Sequence, residues 1–294
     1  MIHRANILAS CEPSDILARP YAYMVDQRHR LAKDMAFCIP GGFNLFMDIT
    51  RASSALFKEV NANISLQASA YGAAWKFGTA DNTKIDFGTT QPIVTDDGAG
   101  TGSFTVACVS NPPAAAAEYD QIGQRLGVNP ANQWRLMANI DDDFNVASGK
   151  FTFGTFATAA SGAETANTAV DGSLHAWVGR RVTGGGSSTH TIWRDGVDAT
   201  AATSSTTTRD VTVGTQSFAI GGLPGGAAVV SANSSIPISC GWNRALSDDE
   251  IWEWSQNPFC MIVPRFALIV GTAPAAAASS IPVFMHNYRR RRAA

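Results

Sequence analysis

The sequence predicts an all-β fold, namely a two-sheet antiparallel sandwich. Period-two alternation of apolar residues recurs in short runs, which is the pattern of half-buried strands. Segments rich in Gly, Asp, Asn and Pro separate the runs, and these residues favour turns. No long amphipathic helix lies between two runs, so a parallel α/β sheet is not expected. With 294 residues and 45% apolar content, the chain is long enough to bury the core of such a sandwich.

The clearest strand patterns are the runs 71–77, 104–108 and 134–140. Apolar residues alternate in each run, so one face of each strand is expected to be buried. Trp75, Trp134 and Trp242 belong to such alternations and are expected in the core. The turns or loops expected between strands are 96–100, 111–113, 141–143, 184–186 and 221–226.

A strand followed by a short helix is predicted in the segment 236–258. Alternate residues from Ile236 to Trp242 are apolar and are expected on one face. Ser247 and Glu250 have the spacing of a capping box, in which each side chain accepts a hydrogen bond from the other residue's backbone amide. Because Pro258 cannot continue a helix, we expect a helix of about two turns.

The order of these motifs resembles the laminin-G/concanavalin A-like jelly-roll superfamily. The pattern W-N-R-A-L-S-x-x-E-I at 242–251, followed by Asn-Pro at 257–258, is similar to its C-terminal signature, particularly in the versions carried by phage and prophage virion proteins. Upstream, the segments 75–78, 84–87, 174–180 and 191–197 are similar to its opening sheet, a later strand and an Asp-Gly hairpin. The resemblance covers roughly residues 31 to 270 and implies a jelly-roll sandwich.

One domain with two extended arms is therefore expected, with the jelly roll at 31–270 and the arms at 1–30 and 271–294. The N-terminal arm lacks the uninterrupted apolar run of a signal peptide, and no apolar stretch is long enough to cross a bilayer. We therefore expect a soluble protein made in a cytoplasm. The formal net charge of -2 gives no overall attraction to nucleic acid or to a membrane surface.

The C-terminal arm ends in four consecutive arginines, which can bind phosphate or a carboxylate patch. A solvated tail is the alternative interpretation. Since the arm has no apolar core of its own, we expect a neighbouring subunit to hold it. The residues expected to contact a partner are Trp252, Trp254, Phe284, Tyr288, Arg289, Arg290, Arg291 and Arg292.

The tryptophans of the short helix and of the strand before the Asp-Gly hairpin are candidates for surface roles. Trp252 and Trp254 are two positions apart on the helix and point away from each other, so at least one is expected to meet a partner. Trp177 alternates with Ala176 and Val178, so it could lie on the outer face as a platform for a glycan. Packing in the core or between subunits is the alternative for all three.

The sequence contains no recognisable catalytic motif. The carboxylate pair of sandwich glycosidases, E-x-D-x-x-E, is absent, as are G-x-S-x-G and H-E-x-x-H. His175 and His190 lie on consecutive predicted strands and could face each other, but a structural role is expected for both. We therefore expect no enzymatic activity.

No cofactor is expected, although the loop carboxylates at 141–143 could bind calcium, as could Asp96 and Asp97. The cysteines are five in number and contain no C-x-x-C pair, so neither a zinc site nor a redox motif is expected. They are expected to be mostly free, buried thiols.

The resemblance and the unexplained arms favour a non-catalytic structural protein of a tailed-phage virion, either a capsid decoration (cement) protein or a tail-associated protein. Such a protein would be located in the virion, would bind other virion proteins and would be expected to form a homo-oligomer. The alternative is a carbohydrate-binding module, including a host receptor-binding one, and a glycan hydrolase is a distant third.

Overall fold

The computed structural model describes residues 23–41, 64–78, 84–87, 93, 95–99, 101–113, 119–124, 133–140, 146–156, 160–204, 211, 218–221 and 234–264. Within these residues the chain forms a β-sandwich in which all recorded strand pairs are antiparallel. The predicted all-β, two-sheet jelly-roll class is confirmed.

Two large sheets make up the sandwich, with strands numbered in chain order. The six-stranded sheet contains, in spatial order, β13 (Val197–Asp198), β12 (Ser187–Arg194), β11 (His175–Gly184), β6 (Phe104–Ser110), β17 (Ile238–Trp242) and β2 (Met35–Pro40). The seven-stranded sheet contains β14 (Ala202–Thr203), β10 (Ala160–Glu164), β9 (Val146–Phe156), β8 (Gln133–Ile140), β7 (Tyr119–Gln124), β15 (Phe218–Ile220) and β5 (Ile85–Asp86).

Smaller elements complete the described fold. A three-stranded sheet contains β16 (Ser235–Ile236), β4 (Gly72–Phe77) and β3 (Ile64–Ser69), and a two-stranded ribbon pairs β1 (Tyr23–Val25) with β18 (Ile262–Pro264). A single 3-10 turn at Arg30–Ala32 and helix α1 at Asp248–Gln256 are the helical elements of the described residues.

The main core lies between the two large sheets and is rich in aromatic side chains. Trp177 of β11 stacks flat on Phe151 of β9, with ring centroids 3.9 Å apart and planes 2° apart. Phe104 of β6 meets Phe153 of β9 edge to face, with centroids 5.6 Å apart. Trp75 and Trp134 are fully buried in the same cluster, as the alternation predicts.

A second core covers the outer face of the six-stranded sheet. It is formed by side chains of β6, β11 and β17 on one side, and by Val25, Leu31, Ile251 and Trp254 of β1, the 3-10 turn and α1 on the other. The central strand β6 is consequently buried at every position, from Phe104 to Ser110. The six-stranded sheet is thus the middle layer of three.

Helix α1 begins and ends as its sequence predicts. The Ser247 hydroxyl accepts a hydrogen bond from the Glu250 amide at 3.3 Å, and the Glu250 carboxylate accepts one from the Ser247 amide at 2.9 Å. Asn257 is the C-cap, and Pro258 follows it. The helix has nine residues and is the support on which the candidate site below is built.

Two details of the fold differ from the sequence prediction, namely where the N-terminal arm ends and which core contains Ile236. Residues 23–30 were expected in the N-terminal arm, but β1 pairs with β18 and Val25 is buried in the second core, so these residues belong to the folded body. Ile236 lies in the main core, whereas Ile238, Cys240 and Trp242 lie in the second core, because Pro237 separates β16 from β17. The remaining parts of both predicted arms, 1–22 and 271–294, lie outside the described residues.

The cysteines of the described residues are free thiols, as predicted. Cys38, Cys108 and Cys240 are buried, and Cys260 is partly buried. Burial raises the pKa of the Cys108 and Cys260 thiols to about 12, which keeps both in the unreactive protonated form. Cys11 lies outside the described residues.

A search of the helices in the described part of the chain finds none with the length and apolar character needed to cross a membrane.

Candidate functional site

Four charged side chains converge where β11 begins and β12 ends. His175 is the first residue of β11 and Arg194 is the last of β12, while Asp171 precedes β11 and Asp195 follows β12. The two strands form a hairpin in which Trp177 pairs with Arg194, so the start of one strand lies beside the end of the other. We call Asp171, His175, Arg194 and Asp195 the rim cluster.

The turn after β12 holds Asp195 in place through its backbone. Asp195 and Gly196 have φ values of 54° and 85°, and an Asp-Gly pair is favoured where two successive residues adopt positive φ. The Asp195 amide donates to the Ala176 carbonyl at 2.8 Å, and the Ala176 amide donates to Asp195 Oδ1 at 2.9 Å. This pair of bonds leaves Asp195 Oδ2 to face the rest of the cluster.

The imidazole of His175 is bound at both nitrogens. Nδ1 lies 2.6 Å from Asp195 Oδ2, and Nε2 lies 2.6 Å from Arg194 Nη2 and 3.1 Å from Asp171 Oδ1. A guanidinium can only donate, so Nε2 accepts from Arg194 in the neutral ring and the Nδ1 hydrogen goes to Asp195. His175 therefore holds the side chains of Asp171, Arg194 and Asp195 together.

The charge of Asp171 is stabilised by its neighbours. Partial burial alone would raise its pKa, but the Ser173 amide donates a hydrogen bond to the carboxylate, and the contacts with His175 and Arg194 also favour its ionised form. Together they lower the pKa of Asp171 to about 2. The carboxylate consequently stays ionised at neutral and mildly acidic pH.

Exposed apolar side chains adjoin the rim cluster on helix α1 and β13. Trp252 is 57% exposed and Val197 is 67% exposed. The turn packs directly on the helix, since a Cβ at Gly196 would lie 3.1 Å from Trp252 Cδ1. Gln256 of α1 also reaches the Asp195 carbonyl, with Nε2 at 3.5 Å. We call the rim cluster, Val197 and Trp252 together the rim face.

The prediction that Trp252 and Trp254 lie on opposite sides of their helix is confirmed, but only Trp252 is at the surface. Trp254 is fully buried and meets Trp242 edge to face, with centroids 6.2 Å apart. Its assignment to a partner surface is wrong, because the helix side that carries Ile251 and Trp254 covers the six-stranded sheet.

The prediction of Trp177 as an outer glycan platform is also wrong. Trp177 is fully buried in the main core, and Ala176 and Val178 are the residues that face outward from the sandwich, into the second core. Trp177 nevertheless supports the rim cluster from below, since its ring centroid lies 5.7 Å from that of His175 and 5.7 Å from the Arg194 guanidinium carbon.

The predicted partner residues of the C-terminal arm lie outside the described residues, and these are Phe284, Tyr288, Arg289, Arg290, Arg291 and Arg292.

The two strand histidines do not face each other. His190 pairs in register with Arg181 rather than with His175, and it bonds to Thr155 and Ser161 between the sheets. Burial and the nearby Arg181 charge lower the pKa of His190 to about 3, so the ring is neutral. These contacts agree with the structural role expected for His190.

The contacts of His175 do not favour nucleophilic catalysis. A histidine base needs a free nitrogen within hydrogen-bond reach of a nucleophile, but Asp171, Asp195 and Arg194 contact both nitrogens of this ring. Within the described residues, no group of three or more His, Cys, Asp or Glu side chains is arranged to hold a metal ion.

Of the two loops predicted as possible calcium sites, the structure describes the one that contains Asp96 and Asp97. The Asp97 carboxylate accepts hydrogen bonds from the hydroxyls of Thr95 and Thr101, both at 2.5 Å, and so closes its own loop. Residues 141–143 lie outside the described residues.

Sequence reasoning identified the Asp-Gly turn but not the cluster around it. The signal was present in the sequence. An antiparallel hairpin places the residues that precede its first strand beside the residues that follow its second strand. Asp171 and Asp195 occupy those positions.

No protein-family model matches this chain, and no curated protein sequence does so significantly. Solved structures do match its fold. The binding domain of Paraclostridial Mosquitocidal Protein 1 is similar with a TM-score of 0.57 and 10% identity, over 79% of this chain and 54% of that one. The binding domain of botulinum neurotoxin DC, in complex with rat synaptotagmin II, is similar with a TM-score of 0.52 and 14% identity, over 76% and 52%.

An enzyme also shares the fold. A Trypanosoma rangeli sialidase in complex with a difluorinated keto-deoxy-nononic acid is similar with a TM-score of 0.50 and 14% identity, over 76% of this chain and 33% of that one. This chain thus spans about half the length of the toxin binding domains and a third of the sialidase. At these identities the likeness establishes the jelly-roll β-sandwich fold.

Proposed function

We propose that this chain is a non-catalytic binding module that holds a carbohydrate on its rim face. The observation that carries the proposal is that the exposed Trp252 packs on Gly196, directly after Asp195 of the ordered rim cluster. Sugars offer C–H groups that pack on an aromatic face and hydroxyls that bond to planar polar side chains. The residues of the rim face include both kinds of group.

The binding assignment agrees with the structural neighbours, several of which are toxin binding domains. The non-catalytic part of the proposal rests on His175, whose ring nitrogens contact Asp171, Asp195 and Arg194 instead of a nucleophile. A protein ligand is the alternative, and one of the neighbours is bound to synaptotagmin II.

Trp252→Ala is expected to reduce glycan binding about tenfold or more, because the substitution removes the only large aromatic surface of the rim face. The measurement is binding of the full chain to a glycan array, followed by titration of the glycans that bind. Leu66→Ala is the matched control, since Leu66 is an exposed apolar residue on β3, which belongs to a different sheet from the strands of the rim cluster.

Equal binding by wild type and Trp252→Ala would place the ligand elsewhere on the molecule. A blank array for the wild-type chain, with binding to a protein ligand instead, would overturn the carbohydrate proposal.

We also propose that the module is carried on a tailed-phage particle, as a capsid decoration or tail-associated homo-oligomer. Support comes from the segment 242–258, which resembles the strand-to-helix signature of phage virion proteins and has the expected capping box. In this arrangement the arms bind neighbouring virion subunits and the rim face points outward.

Deletion of residues 281–294 is expected to leave the sandwich folded and to abolish association with the particle, because every strand and helix of the described residues precedes residue 265, whereas the deleted segment carries the four arginines. The measurement is cosedimentation of the purified chain with phage heads stripped of accessory proteins. Far-ultraviolet circular dichroism of the truncated chain is the folding control. Cosedimentation of the truncated chain at wild-type occupancy would refute the role of the arm.

A further inference from the structure

We infer that the ligand of the rim face is an uncharged sugar, which donates hydroxyl hydrogens to carboxylate oxygens, rather than a sialylated, sulfated or uronic acid glycan. This inference rests on the proposed carbohydrate function and specifies its ligand class.

The acceptors of the rim cluster are the groups that face solvent. The side chains of Asp171 and Asp195 are 41% and 46% exposed, whereas those of Arg194 and His175 are 27% and 13% exposed. A ligand that approaches the cluster therefore meets carboxylate oxygens first. Carboxylates accept hydrogen bonds from hydroxyl groups and repel other anions.

The one guanidinium of the cluster is already engaged by the protein. Arg194 Nη2 lies 2.7 Å from Asp171 Oδ2 and 2.6 Å from His175 Nε2, and Arg194 Nε lies 3.8 Å from Asp195 Oδ2. An acidic sugar would have to displace these contacts to reach the positive charge. The two carboxylates of the cluster outnumber its one guanidinium.

The apolar half of the rim face distinguishes a sugar from a simple cation. Val197 and Trp252 are more than half exposed; Val197 pairs with Arg194, and Trp252 packs on Gly196, the residue after Asp195. A hexose presents an apolar C–H face and a hydroxyl edge, so it can contact apolar side chains and a carboxylate together. An inorganic cation would leave the apolar half uncovered.

The test is an array on which each neutral oligosaccharide is paired with its sialylated, sulfated and uronic acid derivatives, probed with the full chain. Neutral members are expected to bind and their acidic derivatives to bind about tenfold more weakly or worse. Asp171→Asn is expected to weaken binding of the neutral members about tenfold, since a charge-assisted hydrogen bond is lost.

The matched control is Asp34→Asn. Asp34 is an exposed carboxylate that precedes β2, at the opposite edge of the six-stranded sheet from β13. This substitution changes the net charge of the chain by the same amount as Asp171→Asn and is expected to leave binding unchanged.

The outcomes separate the two proposals. Tighter binding of the acidic derivatives, with Asp171→Asn improving it further, would overturn the inference and leave the carbohydrate-binding function in place. Equal loss of binding in Asp34→Asn and Asp171→Asn would also overturn it, because the effect would then come from overall charge. Failure of every glycan to bind, with a correctly folded chain, would overturn the proposed function itself.

Discussion

Replacing Trp177 with alanine is expected to lower the free energy of unfolding by about 3–5 kcal/mol. Trp177 is fully buried, and its ring lies flat on Phe151 at 3.9 Å, between the two large sheets. Removing it opens a cavity that neighbouring β-strands cannot fill without breaking their register. The measurement is equilibrium unfolding in urea with an unchanged m-value.

Trp252→Ala is the control for this prediction, since it removes the same side chain from a position that is 57% exposed. It is expected to change the free energy of unfolding by no more than about 0.5 kcal/mol. If Trp177→Ala had an effect as small as that of Trp252→Ala, the stacked position of Trp177 in the main core would be contradicted.

Replacing Gly149 with alanine is expected to lower the free energy of unfolding by about 3 kcal/mol, for two additive reasons. Gly149 on β9 has a φ of 83°, which strains any residue with a Cβ. The added methyl carbon would also lie 1.7 Å from the Asn167 carbonyl oxygen, so the backbone around Asn167 would have to move. That movement would affect the chain that leads to Asp171 in the rim cluster.

Gly98→Ala separates the two reasons. Gly98 has a φ of 68°, but among the described residues no atom other than those of its chain neighbours lies within 4 Å of the position a Cβ would take. Only the backbone strain remains there, and the expected loss is about 1 kcal/mol. The two variants are compared by urea unfolding under identical conditions. A similar loss in both would show that the close approach of Gly149 to Asn167 is absent.

Features that depend on a few neighbouring residues could be predicted from the sequence. The capping box of Ser247 and Glu250 specifies where α1 begins, and Pro258 specifies where it cannot continue. The Asp195-Gly196 turn specifies the hairpin in the same way. Both are short-range interactions, so tertiary packing did not need to be known.

The surface assignments of Trp177 and Trp254 failed because they depend on layers that are distant in sequence. Alternation divides β11 into two faces, but it does not tell which face meets the second sheet and which meets helix α1. Since β1, β18 and α1 cover the outer face of the six-stranded sheet, both faces of β11 are buried near Trp177. An outer platform would require one of those layers to be missing.

The rim cluster was missed for a related reason. Asp171, His175, Arg194 and Asp195 do not form a motif in the sequence, and the β11–β12 pairing brings them together. A register prediction for that hairpin would have identified the contact between the residues before His175 and those after Arg194.

The pairing of β1 with β18 has a consequence for engineering and for attachment. Tyr23 lies opposite Pro264, so the chain enters and leaves the described fold at adjoining points. A fusion partner joined just before residue 23 or just after residue 264 would emerge from the same place on the sandwich. A short linker between these two points would allow circular permutation, with new termini opened in an exposed hairpin such as Gly185-Gly186.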